Sequence, residues 1–170
     1  MRNPFAIFLL VVTVATPGSS TAGNKTPPFT RAEVCELVDA ALTAPWGGPE
    51  PGGLADYSCV QRNAIEGEYM LVDVSIVSVD GKETKPLRQG ETCGRYKQYR
   101  HGRNEDVLFV GVGFTRIAPD RVWFGAGLGG IHFDARGKED GTIGVACGAG
   151  NEGIIEKKFG RWSESRRTCR

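Results

Sequence analysis

The first 22 residues constrain this chain most, because they decide where it folds. Met1 and Arg2 give a positively charged start, an uncharged apolar run of 11 residues follows over 5–15, and small residues lead up to Ala22. The run is too short to cross a bilayer of about 30 Å as a helix. This pattern predicts a signal peptide over 1–22 and a secreted or periplasmic protein with no membrane span.

Cleavage after Ala22 leaves one domain over 23–170, 148 of the 170 residues. Its cysteines include no CxxC pair, which argues against a zinc ribbon or a thioredoxin-type site and favours structural disulfides. We predict that Cys35 pairs with Cys59 and that Cys93 pairs with Cys147, each of the latter two lying beside a glycine. Five cysteines leave one thiol over, which in these pairings is Cys169.

The clearest local signal is the start of a helix. Thr30 and Glu33 match a capping box, in which each side chain bonds the backbone amide of the other residue. Pro45 and the following glycines end the pattern, so we predict a helix over 31–43. The apolar residues recur at helical spacing and form one stripe, made of Val34, Leu37, Val38, Ala41 and Leu42.

The rest of the chain has the alternation typical of strands. Met70 to Ile76 alternate within a strand over 68–79, and the best hairpin joins 107–117 to 122–127. We also predict a short strand over 56–61, a hairpin of 131–134 with 142–147, and a long polar loop over 82–105. The segment 154–159 fits either a strand or a short helix.

These elements predict an α+β fold, reinforced by disulfides. One N-terminal helix with a single apolar stripe needs one apolar sheet face to cover it. We therefore expect the helix to pack on a curved antiparallel sheet of five or six strands. Cystatin-like folds have this outline, although the chain matches no family motif.

A glycine-rich string from Gly148 to Gly153 fits the GxGxxG pattern of dinucleotide sites. That mechanism needs a further helix and a parallel strand, and only 17 of the 170 residues remain after Gly153. We therefore interpret the string as a turn, and we predict neither a cofactor nor a metal site.

The strongest binding candidate is the segment 93–103, where cations alternate with aromatic rings. Such a mixture attracts anions and stacks on flat groups. A solvated basic loop held by Cys93 explains the same residues. The equal numbers of acidic and basic residues after cleavage argue against a dedicated nucleic-acid binder. The anion-binding candidates are Arg95, Tyr96, Lys97, Tyr99, Arg100 and Arg103.

Two histidines allow a catalytic alternative. His101 and His132, with Glu105 and Arg103, are the parts that a small secreted phosphodiesterase or ribonuclease would need for acid–base chemistry. Asp134 lies two residues from His132, on the same side of a strand, where it is placed to orient the imidazole. This alternative requires both histidines to line one cleft.

The first functional hypothesis is therefore an exported binding protein without catalysis. Its partner is either a protein or an anionic ligand, in the cell envelope or outside the cell. The second hypothesis is the phosphodiesterase, and the position of the two histidines in space separates the two.

Overall fold

A computed structural model describes residues 28–43, 64–78, 80–143 and 150–168. The predicted signal peptide over 1–22, the predicted strand over 56–61 and the cysteines Cys59, Cys147 and Cys169 lie outside these ranges. One helix and ten strands follow in chain order: α1 (Arg31–Thr43), β1 (Ile65–Glu66), β2 (Tyr69–Val77), β3 (Glu83–Thr84), β4 (Thr92–Cys93), β5 (Tyr96–Gln98), β6 (Glu105–Ala118), β7 (Arg121–Phe133), β8 (Glu139–Thr142), β9 (Gly150–Lys158) and β10 (Arg161–Thr168).

The helix begins and ends where the sequence predicts. The Thr30 amide donates to the Glu33 carboxylate at 2.9 Å, and the Glu33 amide donates to the Thr30 hydroxyl at 3.2 Å, so the capping box is confirmed. The predicted apolar stripe is the buried face of the helix. The Lys157 ammonium of β9 donates to the Glu33 carboxylate at 2.7 Å. This hydrogen bond and the one from the Thr30 amide together lower the pKa of Glu33 to about 2.

The predicted sheet is wrong in size and in strand direction. The structure has a mixed ten-stranded sheet whose main path runs β10-β9-β7-β6-β2-β5-β4. β2 is parallel to both of its main neighbours, β5 and β6, whereas every other pair among the described strands is antiparallel. The sequence pattern missed this because parallel pairing joins segments far apart in the chain and leaves no turn signal between them.

The polar segment 82–105 accounts for several of the extra strands. β3 pairs with the end of β2, β5 pairs with its beginning, and β4 pairs with β5. The Gln98 side chain also accepts from the Val74 amide at 3.1 Å and donates to Asp73 at 2.8 Å. A segment predicted as a loop therefore forms one side of the sheet, in strands too short to show alternation.

The predicted hairpin of 107–117 with 122–127 is confirmed as part of a longer ladder between β6 and β7. β8 pairs with the end of β7, and the predicted hairpin partner beyond Ile143 lies outside the described residues.

The ambiguous segment 154–159 lies mostly in strand β9. That strand already begins at Gly150, so the turn predicted for Gly148–Gly153 is wrong for its described part.

The sheet has an inner face toward α1 and an outer face away from it. The inner residues of β2, β6 and β7 share one core with the helix, and the register places Val74, Val112 and Ala126 side by side. On the outer face a second, smaller cluster contains Tyr99, Val107, Phe109 and Phe133. The outer face also carries glycines of β6 and β7, and at Gly127 an added Cβ would meet nothing within 4 Å.

The first two turns of α1 contact both end strands of the sheet. Arg31 donates to the Thr92 carbonyl in β4 at 2.8 Å, and Glu36 accepts from the Trp162 amide in β10 at 3.2 Å. Seven strands laid flat would measure about 29 Å, at about 4.8 Å per step, whereas a helix is about 10–12 Å wide. The sheet therefore curls around the helix.

A disulfide joins Cys35 of α1 to Cys93 of β4. The predicted pairing of Cys35 with Cys59 is therefore wrong, and so is the pairing of Cys93 with Cys147. The prediction assumed that the helix would be tied to the next segment along the chain. The curled sheet instead brings its far edge, 58 residues away, against the helix.

Candidate binding surface at one end of the sheet

The structure separates the residues of the predicted anion-binding segment. Tyr96 is buried on the inner face, where its hydroxyl accepts from Arg95 at 3.0 Å. Arg95 also donates to Thr43 at the end of α1, at 3.2 Å. Lys97 faces outward and forms a salt bridge of 2.6 Å with Glu66. These side chains stabilise the fold in different places and do not form one surface.

The remaining members of that segment also diverge. Tyr99 is buried and stacks on Phe109, with ring centroids 4.7 Å apart. Burial, with the charge of Asp73, raises the pKa of Tyr99 to about 12. Arg100 and Arg103 are exposed, and their side chains pack over Gly90 and Gly137 respectively. They are the two members of the segment that still present cations to solvent without an identified structural task.

The two histidines lie on opposite faces of the sheet. The His101 ring meets the Phe133 ring edge-on, with centroids 5.1 Å apart. His132 precedes Phe133 in β7 and therefore points to the other face, where its Nδ1 lies 2.6 Å from Asp106. The structure does not bring the two histidines into one cleft.

The carboxylates predicted to assist the histidines have other positions. Glu105 pairs in register with Phe133 and lies against Gly102, so it shares the face of His101 and not that of His132. Asp134 accepts from the backbone amides of Arg136 and Lys138 at 2.8 and 2.9 Å. Its task is to shape a turn, and the partner that orients His132 is Asp106.

A surface that the sequence did not predict lies at the far end of β6, β7, β9 and β10. The β6–β7 turn and the β9–β10 turn are neighbours there, because the Lys157 amide donates to the Asp120 carbonyl at 2.8 Å. Four large hydrophobic side chains are exposed within the described ranges, and three of them belong to this end. We call Ile117, Trp123 and Phe159 the apolar tip.

Phe159 is the most unusual member of the apolar tip. With Gly160 it forms the two-residue turn between Lys158 and Arg161, which are register partners. Both turn residues have positive φ, 52° for Phe159 and 81° for Gly160. This left-handed conformation suits glycine and is rare for a bulky residue. The Phe159 side chain is nevertheless fully exposed.

Ile117 and Trp123 extend this surface onto the sheet. The register shifts between Arg116 and Ala118, so Ile117 is the extra residue of a β-bulge, and it is 51% exposed. The Trp123 indole reaches over Gly125 on the outer face, where an added Cβ would lie 2.9 Å from the outer edge of the ring, and the residue is 39% exposed.

Cationic side chains surround the apolar tip, and we call Arg121, Lys158 and Arg161 the cationic rim. Glu156 lies between two of them, 2.8 Å from Arg121 and 3.2 Å from Lys158. The bond from Lys158 and the charge of Arg121 lower the pKa of Glu156, so this carboxylate is ionised at neutral pH. Arg161 makes no salt bridge to any residue that the structure describes. The exposed Asp120 in the β6–β7 turn is a second carboxylate at this end of the sheet, so the three cations exceed the two carboxylates by one positive charge.

Sequence reasoning missed this surface because its signal is short. A two-residue turn between alternating segments normally has the sequence Asn-Gly or Gly-Gly. Here glycine occupies the second position, but Phe159 stands at the first, where Asn or Gly is usual. In the sequence pattern this phenylalanine is therefore interpreted as one more strand residue. Gly160 is the one residue of this segment that favours the turn.

Comparison of the chain with protein-family models, with curated proteins and with solved structures finds no match in any of the three. Across the described ranges, no helix is long and apolar enough to cross a membrane. In the same part of the chain, no three His, Cys, Asp or Glu side chains are grouped to hold a metal ion.

Proposed function

We propose that this protein is a non-catalytic binding protein that acts outside the cytoplasm and docks on its partner through the apolar tip. The observation that carries the proposal is the conformation and exposure of Phe159. A non-glycine residue in the left-handed region costs about 1–2 kcal/mol. The exposed ring gains little inside the protein in return, and strain of this kind is typical of functional positions.

Two further observations support the position of the site. The exposed apolar side chains are concentrated at one end of the sheet, and a concentrated patch is more typical of an interaction surface than scattered single residues are. Aromatic anchors with a polar rim are also the usual composition of a binding hot spot. The cationic rim supplies that border and favours a partner with negative charge.

Two different observations support action outside the cytoplasm. The apolar run over 5–15 and the small residues before Gly23 have the pattern of a signal peptide. The disulfide between Cys35 and Cys93 is of the kind that persists in secreted and periplasmic proteins.

Anion binding by Arg100 and Arg103, at the opposite end of β6, stays a separate prediction.

Photo-crosslinking in the producing cell tests the proposed site. A photoreactive phenylalanine analogue replaces Phe159 in one chain and Ile65 in another. Ile65 is a matched control because it is 42% exposed and lies in β1, near the other end of the sheet. We expect adducts to protein or lipid from position 159 and none from position 65. No adduct at 159, or the same adduct at both positions, contradicts the proposal.

A further inference from the structure

We infer that the partner of the apolar tip is the surface of an anionic phospholipid bilayer. This inference rests on the proposed function and identifies the partner of the same site. Phe159 would enter the boundary between headgroups and acyl chains, and the cationic rim would contact lipid phosphates. The protein would remain peripheral, held by two turns and a few side chains.

The shape of the surface favours a bilayer over a folded partner. Phe159 is the first residue of a two-residue turn, and its whole side chain projects into solvent. A protein partner would need a pocket that matches this projection, whereas a bilayer interface accepts a projecting ring at any point. Trp and Tyr are enriched at that interface, and the partly exposed Trp123 lies at the same end of the sheet.

The backbone of the tip is suited to a partly apolar environment. The Asp120 carbonyl accepts from the Lys157 amide, and the Lys158 and Arg161 positions pair in the β9–β10 ladder. Backbone groups that remain unpaired are costly where water is scarce. Because the two turns are joined to each other, they can approach the lipid boundary with fewer unpaired groups than separate loops would have.

The charges select an anionic surface. Arg121, Lys158 and Arg161 share the outer face with Trp123, since Lys158 and Arg161 are register partners and Arg121 pairs with Glu156. Glu156 offsets one of these three cations through its two salt bridges, and the exposed Asp120 in the β6–β7 turn offsets a second, so this surface keeps a net charge of +1. Basic side chains beside an apolar anchor bind membranes through both attractions together, and the electrostatic part weakens as salt rises.

Vesicle co-sedimentation tests the inference. The cell-processed full chain is mixed with vesicles of phosphatidylcholine alone or of phosphatidylcholine with phosphatidylglycerol, over a range of NaCl concentrations. We expect binding to the anionic vesicles that weakens with salt. Phe159→Gly should reduce the affinity by about tenfold, since a large apolar side chain is lost. The control Ile65→Ser should bind as the unchanged chain does.

A second variant tests the cationic rim separately. Lys158→Gln with Arg161→Gln should remove most of the preference for phosphatidylglycerol, and 10 mM inorganic phosphate should not displace the unchanged chain. Displacement by phosphate would identify a free-anion site instead of a bilayer site. Glycine is the residue that the left-handed turn prefers, so Phe159→Gly is expected to fold.

Two outcomes overturn the inference. One is an unchanged chain that stays in solution with anionic vesicles; the other is a Phe159→Gly variant that binds them as well as the unchanged chain. The proposed function has its own test and does not fall with them. If position 159 crosslinks to a protein while vesicles do not bind, the apolar tip is a docking site for a protein and the bilayer inference is wrong.

Discussion

Cys35 of α1 and Cys93 of β4 are joined by a disulfide, with Cα atoms 5.1 Å apart. β4 is an end strand with a two-residue ladder to β5, so few backbone bonds hold it in the sheet. Arg31 reinforces the same junction through Glu91 and the Thr92 carbonyl. The helix thus holds a strand that would otherwise be weakly attached.

Removing this disulfide should destabilise the protein substantially. The bridge closes a segment of 58 residues, and replacing both cysteines with serine should lower the free energy of unfolding by about 2–4 kcal/mol. Urea denaturation measures the loss. Peptide mapping without reductant should give a peptide linking Cys35 to Cys93. A peptide linking Cys35 to Cys59 instead would restore the pairing predicted from sequence.

The ion pair of Glu33 and Lys157 should make stability depend on acid pH. The pKa of Glu33 falls from 4.5 to about 2 in the folded protein, mainly through the bond from Lys157. A lowered pKa stabilises the folded state above pH 4.5, and this contribution is lost as the pH falls toward 2. Because Glu33 is partly exposed, we expect a contribution of about 1–2 kcal/mol.

Glu33→Gln is the variant that tests this pH dependence. Its unfolding free energy should change less between pH 5 and pH 2 than that of the unchanged chain. Other carboxylates with lowered pKa values, such as Glu91 and Asp134, leave some slope in both proteins. If the free energy of unfolding has the same pH dependence in the two proteins, Glu33 is not the source of the acid-dependent loss of stability.

Phe159→Gly should stabilise the isolated protein while it weakens binding. Glycine removes the steric cost of the left-handed turn. Its greater conformational freedom in the unfolded chain offsets part of that benefit, so we expect the free energy of unfolding to rise by about 0.5–1 kcal/mol. Thermal unfolding, followed by circular dichroism, measures the difference. A lower melting temperature for the variant would show that the Phe159 ring stabilises the fold.

Two glycines of β7, Gly129 and Gly127, serve as test and control positions for the packing of side chains on the outer face. A Cβ at Gly129 would lie 3.0 Å from the Phe109 ring, whereas a Cβ at Gly127 would meet nothing within 4 Å. Gly129→Ala should therefore push Phe109 against Tyr99 and cost about 1–3 kcal/mol. Gly127→Ala should be close to neutral. Equal unfolding free energies for the two variants would contradict this placement of Phe109.

Anion binding by the segment 93–103 should now depend on its two exposed arginines. Arg100→Gln with Arg103→Gln should lower the salt concentration that elutes the protein from heparin resin, without changing its melting temperature. Arg95→Gln should lower the melting temperature, because Arg95 bonds Tyr96 and Thr43. Unchanged elution of the double variant would exclude these two arginines as an anion site.

Local signals in the sequence predicted the local structure well. The capping box at Thr30 and the stripe ending at Leu42 depend on residues a few positions apart, and α1 matches both. The alternation from Met70 to Ile76 and the hairpin of β6 with β7 are local in the same sense. Each of these features can be detected within one short window of the sequence.

The features that failed depend on contacts between distant segments. β5 joins β2 through a parallel ladder of three pairs, and Cys35 meets Cys93 only because the sheet curls. The segment 93–103 appears as one basic surface in sequence, yet strand alternation sends Tyr96 and Lys97 to opposite faces. The apolar tip likewise depends on two hairpin turns meeting at one end of the sheet.

The contact of α1 with both end strands has a consequence for the timing of synthesis. Glu36 and Trp162 are separated by 126 positions, so the first element of the fold meets the last. A chain emerging from a ribosome or from a translocation channel can form α1 and the early strands but cannot complete the curled sheet until β10 is present. Contacts over such distances slow folding, so completion of this fold should follow the emergence of β10.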